Sequence, residues 1–215
     1  MTAIMLAMLA SMAAQAGLGV RLPEPRRDSG YSLERALTDR RTVREFGAAA
    51  LPLADLAQLA WAAQGVISAS GRRTTPSAGA LYPLEVYVVA ANVQDLAPGV
   101  YRYQPSIHRL AALAEGDRRK TLAEAAWGQR WMEQVPAILV IAAVERRTTA
   151  KYGQRGVRYA HMEAGHAAQN VLLQARALDL DAALVGAFTD ADVQAALGLP
   201  RDARPLYLIP VGRPR

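Results

Sequence analysis

Apolar positions cluster in short, dense runs along this chain. "LEVYVVAA" (84–91) and "AILVIAAVE" (137–145) are nearly uninterrupted, rich in β-branched residues and short, so the pattern predicts buried strands. "DAALVGAF" (181–188) and "LYLIPVG" (206–212) read the same way. "GVYRYQ" and "HRLAAL" flank Pro105 and Ser106 and predict a hairpin.

Helical spacing fills much of the rest. Ser32 is placed to cap a short helix through Arg41, with Arg35 at the capping box's acid position. Pro52 starts a helix over 52–64, with Leu53, Leu56, Leu59 and Ala60 on one face. Residues 117–134 are helical in character, and 156–179 predict a long helix. Thr189 caps a helix over 190–197 that Gly198 closes. Helices and strands mix without a regular βαβ rhythm, which predicts an α+β domain over 31–215. On the long helix Gly165, Ala168, Leu172 and Ala175 share a face; small residues there suit core packing or the seam of a homodimer.

Residues 1–30 stand apart. "LPEPRRDSG" (22–30) is a linker punctuated by Pro and Gly. The opening "MTAIMLAMLASMAAQAG" has the apolar length of a signal peptide, and Ala14, Gln15 and Ala16 fit a cleavage site. It lacks leading positive charge, so an alanine-rich helix is the alternative reading. Export or a cytoplasmic location stay open with it. No segment reads as a membrane span.

Composition narrows the chemistry. There is no cysteine, which excludes disulfides, thiolate metal sites and cysteine nucleophiles. Lys and Arg number 25 against 19 acids, a formal charge of +6 that favours anionic ligands. No basic stripe with interleaved aromatics occurs, so nucleic acid is not an expected partner. His161 and His166 lie about 140° apart on a helix and cannot share a metal on one face, so no metal is expected. No P-loop, dinucleotide fingerprint or nucleophile elbow is present.

Four stretches hold candidate sites. In "DRRTVREF" (39–46), Arg40, Arg41 and Arg44 can converge on a phosphate, although cations also suit the last turn of a helix for electrostatic reasons alone. "TTPSAGALYP" (74–83) offers Thr75, Ser77 and a close backbone approach at Gly79, or is a plain loop entering a strand. "VGAF" (185–188) sets backbone amides before a helix N-terminus. "GRPR" (212–215) puts Arg213 and Arg215 after the last strand, as a ligand clamp or a frayed tail.

These stretches, with "KYGQRGVRYAHMEAGHAAQN" and "YLIPVGRP", occur in one order that resembles the nitroreductase superfamily, and within it the SagB/azoline-oxidase (ThcOx-like) branch. The likeness covers roughly residues 32–214. It implies a nitroreductase-like fold, a mostly antiparallel sheet flanked by helices, in an intertwined homodimer with FMN at each interface. It implies Arg40, Thr42 and Arg44 around the FMN phosphate and ring, Arg41 nearby, and Arg213 closing on the phosphate. Pro76 and Ser77 would approach the flavin from the partner subunit. Gly186 and Ala187 would offer backbone amide to its N5. Ala80 and Tyr82 stand where the wider superfamily has Asn and Gln, as in the SagB-like branch.

The resemblance also implies a catalytic role for Lys151 and Tyr152. Lys151 is one of only two lysines, the other being Lys120. Arg stays protonated and is a poor base, whereas a desolvated Lys can lose its proton and Tyr can give or take one. Chance survival of a Lys in an Arg-rich chain is the bland alternative. The expected activity is an FMN-dependent dehydrogenase acting on a small-molecule or peptide substrate. A nitro or quinone reductase drawing electrons from NAD(P)H, and a non-catalytic flavin-binding protein, are the alternatives.

Overall fold

A computed structural model describes residues 19–215. The apolar opening segment, with its signal-peptide and helix readings, lies outside the described residues. Seven strands form one sheet: β1 (Val20–Arg21), β2 (Leu84–Ala90), β3 (Gly99–Gln104), β4 (Arg109–Glu115), β5 (Ala137–Ala143), β6 (Asp181–Ala182) and β7 (Arg204–Gly212). Their spatial order is β1-β4-β3-β2-β5-β7-β6, and every neighbouring pair is antiparallel. Six helices accompany them: α1 (Leu33–Asp39), α2 (Leu53–Gln64), α3 (Arg119–Ala125), α4 (Arg146–Tyr152), α5 (Arg155–Ala177) and α6 (Asp190–Leu197). The α+β expectation holds.

β5 explains why its sequence run is unbroken. It pairs with β2 on one side and β7 on the other, and all seven of its residues are buried. Ala137, Leu139, Ile141 and Ala143 face a core built with α2 and α5, while Ile138, Val140 and Ala142 face a second core with α3 and α6. A strand covered on both faces has no polar position. Each large aliphatic side chain sealed there contributes about 2 kcal/mol.

Small residues on α5 set the spacing of the first core. Ala160, Ala164, Ala167, Ala168 and Ala175 let α2 approach with Leu56, Leu59 and Ala63. Asn170 Nδ2 donates to Ala62 O at 3.1 Å and fastens the pair. Ala168, Leu172 and Ala175 are therefore core positions, while a methyl built on Gly165 would touch nothing. At the end of α5 the buried pair Arg176 and Asp181, 2.6 Å apart, ties the helix to β6.

Two sequence expectations are corrected. The helical reading of 117–134 breaks at Trp127 (φ +58) and Gly128 (φ +78), leaving α3 and a separate 3-10 turn over Arg130–Gln134. Two left-handed residues in succession cannot continue a helix. The strand reading of 181–188 shrinks to β6; beyond Ala182 the chain keeps the Ala183 N–H to Pro210 O hydrogen bond and an isolated bridge from Val185 to Leu208. The long helix expected over 156–179 forms as α5, and Lys151 sits just before it in the last turn of α4, from which Gly153 (φ +55) turns the chain into α5. Ser32 also caps α1 as expected, its Oγ accepting the Arg35 N–H at 3.1 Å. No helix among the described residues is long and apolar enough to cross a membrane.

Candidate functional site

The sheet edge at β6 gathers one set of site residues. α1 ends at Arg40 in extended backbone, so the chain runs on along the edge rather than away from it. Thr42 bridges Ala182 in parallel, and Val43 N–H donates to Ala182 O at 3.2 Å. Phe46 bridges Pro214, and Gly47 N–H donates to Arg213 O at 2.9 Å. Phe46 stacks on Trp131 with centroids 6.1 Å apart, and the Arg44 guanidinium lies 5.9 Å from the Trp131 centroid.

Charge on this edge is left uncommitted. Arg35 pairs with Asp39, and Arg26 and Arg213 with Asp55. Among the described residues Arg40, Arg41 and Arg44 form no ion pair, and Arg41, Thr42 and Arg44 are exposed. Three guanidiniums and a hydroxyl on five consecutive residues are a donor set suited to a phosphate dianion. Arg213 departs from the expected picture. Its backbone reaches this edge, but its guanidinium turns to Asp55 at 3.2 Å and to Leu178 O at 3.1 Å.

Farther along the same edge come Gly186 and Ala187, both exposed. Val185 is held by Leu208, and Thr189 N–H donates to Ala125 O at 3.0 Å. Between these anchors the Gly186 and Ala187 amides donate no hydrogen bond within the described residues. A methyl built on Gly186 would meet only Tyr207, at 4.0 Å. Sequence reasoning missed Gln129, whose Nε2 donates to Ala126 O at 3.1 Å and Ala187 O at 3.4 Å and so steadies this turn. The edge thus offers cations at one end and free amides farther on, which fits the phosphate and the ring nitrogen of FMN.

A second group forms at the opposite end of the central strands, where β2 begins and β5 ends. Pro76 and Ser77 lie on the loop before β2. Gly79, Ala80 and Tyr82 there have φ of +61°, +53° and +46°. Glycine adopts this region freely, whereas Ala and Tyr do so at a cost, so the loop must be held by its surroundings. Ser77 Oγ accepts the Tyr82 N–H at 2.9 Å, Arg147 donates to Tyr82 O at 3.0 Å, and Arg73 lies over the Tyr82 ring at 4.4 Å.

Lys151 and Tyr152 close on this loop. A methyl on Gly79 would stand 2.7 Å from Tyr152 Oη and 3.2 Å from Lys151 Nζ. Tyr159 meets the Tyr152 ring edge-on at 5.1 Å, and Lys151 Nζ lies 5.4 Å from the Tyr152 centroid. Ammonium and phenol are therefore side by side against a backbone that carries no side chain. Lys151 is exposed in the single chain, so this chain alone does not desolvate it.

Beneath the loop lies Glu163, also missed from sequence, at 2% exposure on α5. Burial pushes its carboxyl up to about 7, against the opposing pull of Ser77, Arg73 and Gln64. The same burial lowers the Arg73 guanidinium, which donates to Gln64 Oε1 at 2.8 Å. An acid set among Ala160, Ala164 and Ala167 was the signal in the sequence, since a small apolar face has no ordinary use for a carboxylate.

Comparison with known proteins agrees with this architecture. The model of the nitroreductase family matches residues 37–213. A candidate nitroreductase of Methanocaldococcus jannaschii is 44% identical over 181 residues, covering 84% of this chain and 90% of the relative. The microcin B17-processing protein McbC of Escherichia coli is 32% identical over 145 residues, covering 65% of this chain and 53% of its own length. The crystal structure of a candidate nitroreductase from Ralstonia eutropha superposes with a TM-score of 0.81 at 30% identity, covering 91% of this chain and 89% of that one.

Proposed function

Because this chain belongs to the nitroreductase family and is an oxidoreductase, we propose that it is an FMN-dependent dehydrogenase of the SagB type. When bound, FMN supplies a two-electron acceptor for a hydride. The residues available to hold it are Arg40, Arg41, Thr42 and Arg44 at the phosphate and the Gly186 and Ala187 amides at the ring. Arg213 would join them only by leaving Asp55.

The meeting of Lys151 Nζ and Tyr152 Oη at Gly79 carries the dehydrogenase reading. A substrate that gives up a C–H bond with its electron pair must also release a proton. The Lys and Tyr pair is a proton-handling group that lies open to a ligand, with the side-chain-free Gly79 as its floor. The 75–82 loop and the 40–44 segment belong to opposite ends of the central strands. That arrangement favours a pocket completed by a second copy of the chain, which would also cover Lys151. Similarity to a microcin-processing protein supports a peptide as substrate.

The visible spectrum of the purified protein tests the reading. Flavin bands that persist through size exclusion of a dimer are expected; a colourless protein that takes up no added FMN would sink it. Similarity to a candidate nitroreductase favours a second reading, reduction of nitro or quinone compounds by NAD(P)H. Anaerobic NADPH bleaches the flavin rapidly in that case and leaves it yellow in the first.

A further inference from the structure

Cations gather where α4 hands over to α5. Arg155, Arg158, Tyr159 and Met162 fall three or four residues apart, so they share one helix face. That face continues from Lys151 and Tyr152. The Tyr152 and Tyr159 rings meet edge-on, and Arg155 Nε donates to Tyr159 Oη at 3.1 Å. Lys151, Arg155, Arg158 and Met162 are all exposed. None of these three cations has an acid within ion-pair distance among the described residues. Other cations on the same two helices are matched: Arg146 pairs with Asp202, Arg147 with Glu85 and Arg176 with Asp181.

Helix stability does not account for this arrangement. A cation in the first turn opposes the helix dipole, yet the first turn of α5 holds Arg155 and Arg158 and no acid. Like charges at this spacing also repel each other. The one acid of α5, Glu163, is buried, and Glu145 before α4 is drawn to His161 and Arg204. The counter-charge for this face therefore has to come from outside the chain.

We propose that this face is the docking surface for an acidic stretch of a peptide, which it leads to Lys151 and Tyr152. The inference rests on the proposed function in calling that peptide the substrate. Side chains three apart on a helix stand about 5–6 Å from each other at Cβ. Alternate side chains of an extended peptide project to one side about 7 Å apart. Two carboxylates separated by one residue can thus meet Arg155 and Arg158 together, each in a charge-assisted bond. Met162 and the tyrosine rings give the backbone and apolar stems a surface to lie on. A second copy of this chain fits poorly, because an isologous contact centred here would set cation against cation. Nucleic acid fits poorly too, because the two tyrosines pack on each other instead of standing open to bases.

Fluorescence anisotropy on the full chain, with the flavin it purifies with, tests this. The probes are a short labelled peptide in which aspartate alternates with glycine, and its twin with asparagine for aspartate. At about 0.02 M salt the aspartate peptide should bind about tenfold more tightly, and the difference should vanish at about 0.5 M. Arg158→Gln should reduce the preference, and Arg155→Gln with Arg158→Gln should abolish it. Arg27→Gln, beside the other end of α5, should keep it. Equal binding of the two peptides by the wild type overturns the proposal, whether or not a variant folds, and so does a preference that survives the double change. A single-stranded oligonucleotide of equal charge that binds as tightly as the aspartate peptide, and no longer binds the double variant, also overturns it, in favour of nucleic acid. A colourless protein, or a flavin that no peptide reduces, would count against the proposed function alone and leave the docking face standing if the aspartate preference is intact.

Discussion

Tyr152 Oη rests so close to Gly79 that a single methyl there would stand 2.7 Å away. Gly79→Ala therefore combines a clash with a left-handed backbone, at a cost of about 1–2 kcal/mol. Thermal unfolding should show that modest loss, with turnover falling further than stability alone accounts for because the phenol is displaced. A variant as active as wild type would show that the contact has no bearing on chemistry.

Replacing Lys151 by Arg keeps the charge and removes a usable base, while Tyr152→Phe keeps the ring and removes the hydroxyl. Each should lower turnover by about 10²-fold or more, the usual contribution of a positioned proton-transfer group. Flavin content should not change. If Lys151→Arg retains full turnover, the ammonium serves as charge alone.

Arg44→Ala should weaken FMN binding about tenfold, as expected for loss of a charge-assisted bond to phosphate. Arg27→Ala, at an exposed position in the 22–30 segment, is the control. Fluorescence titration of apoprotein compares the two; equal affinities would remove Arg44 from the phosphate.

Glu163 makes stability depend on pH in a defined sense. Its folded value of about 7 lies above the ordinary 4.5, so the folded chain holds the proton more tightly than the unfolded one. That stabilisation is complete below about 4.5 and is lost as pH rises through about 7, on the order of 3 kcal/mol in all. Urea unfolding over this window should slope downward in the wild type and flatten in Glu163→Gln. An identical slope in both would assign the titration to another group.

Much of this was legible in the sequence for a simple reason. β2 and β5 are buried on both faces, and such strands write themselves as unbroken apolar runs. α5 was legible through its spacing, and Ser32 through its hydroxyl just before a helix. The misreadings have a different cause. Trp127 and Gly128 break a helical pattern by backbone angles that side-chain periodicity does not encode. Residues 183–185 stay apolar after leaving the sheet, because they still cover the core, so the strand reading ran on past β6. The guanidinium of Arg213 was assigned by its place in a motif, whereas its direction is set by Asp55, far away in sequence. Glu163 was overlooked because acids ordinarily lie on the solvent side of a helix, although its place among Ala160, Ala164 and Ala167 marked it.

The strand order carries a consequence for synthesis. β7 inserts between β5 and β6, although β5 is made long before it. Until Arg204–Gly212 has emerged from the ribosome, the apolar edge of β5 has no partner on that side and invites strands from other chains. A nascent chain stalled in that interval is the species most prone to aggregate, and shielding it is a task for a chaperone.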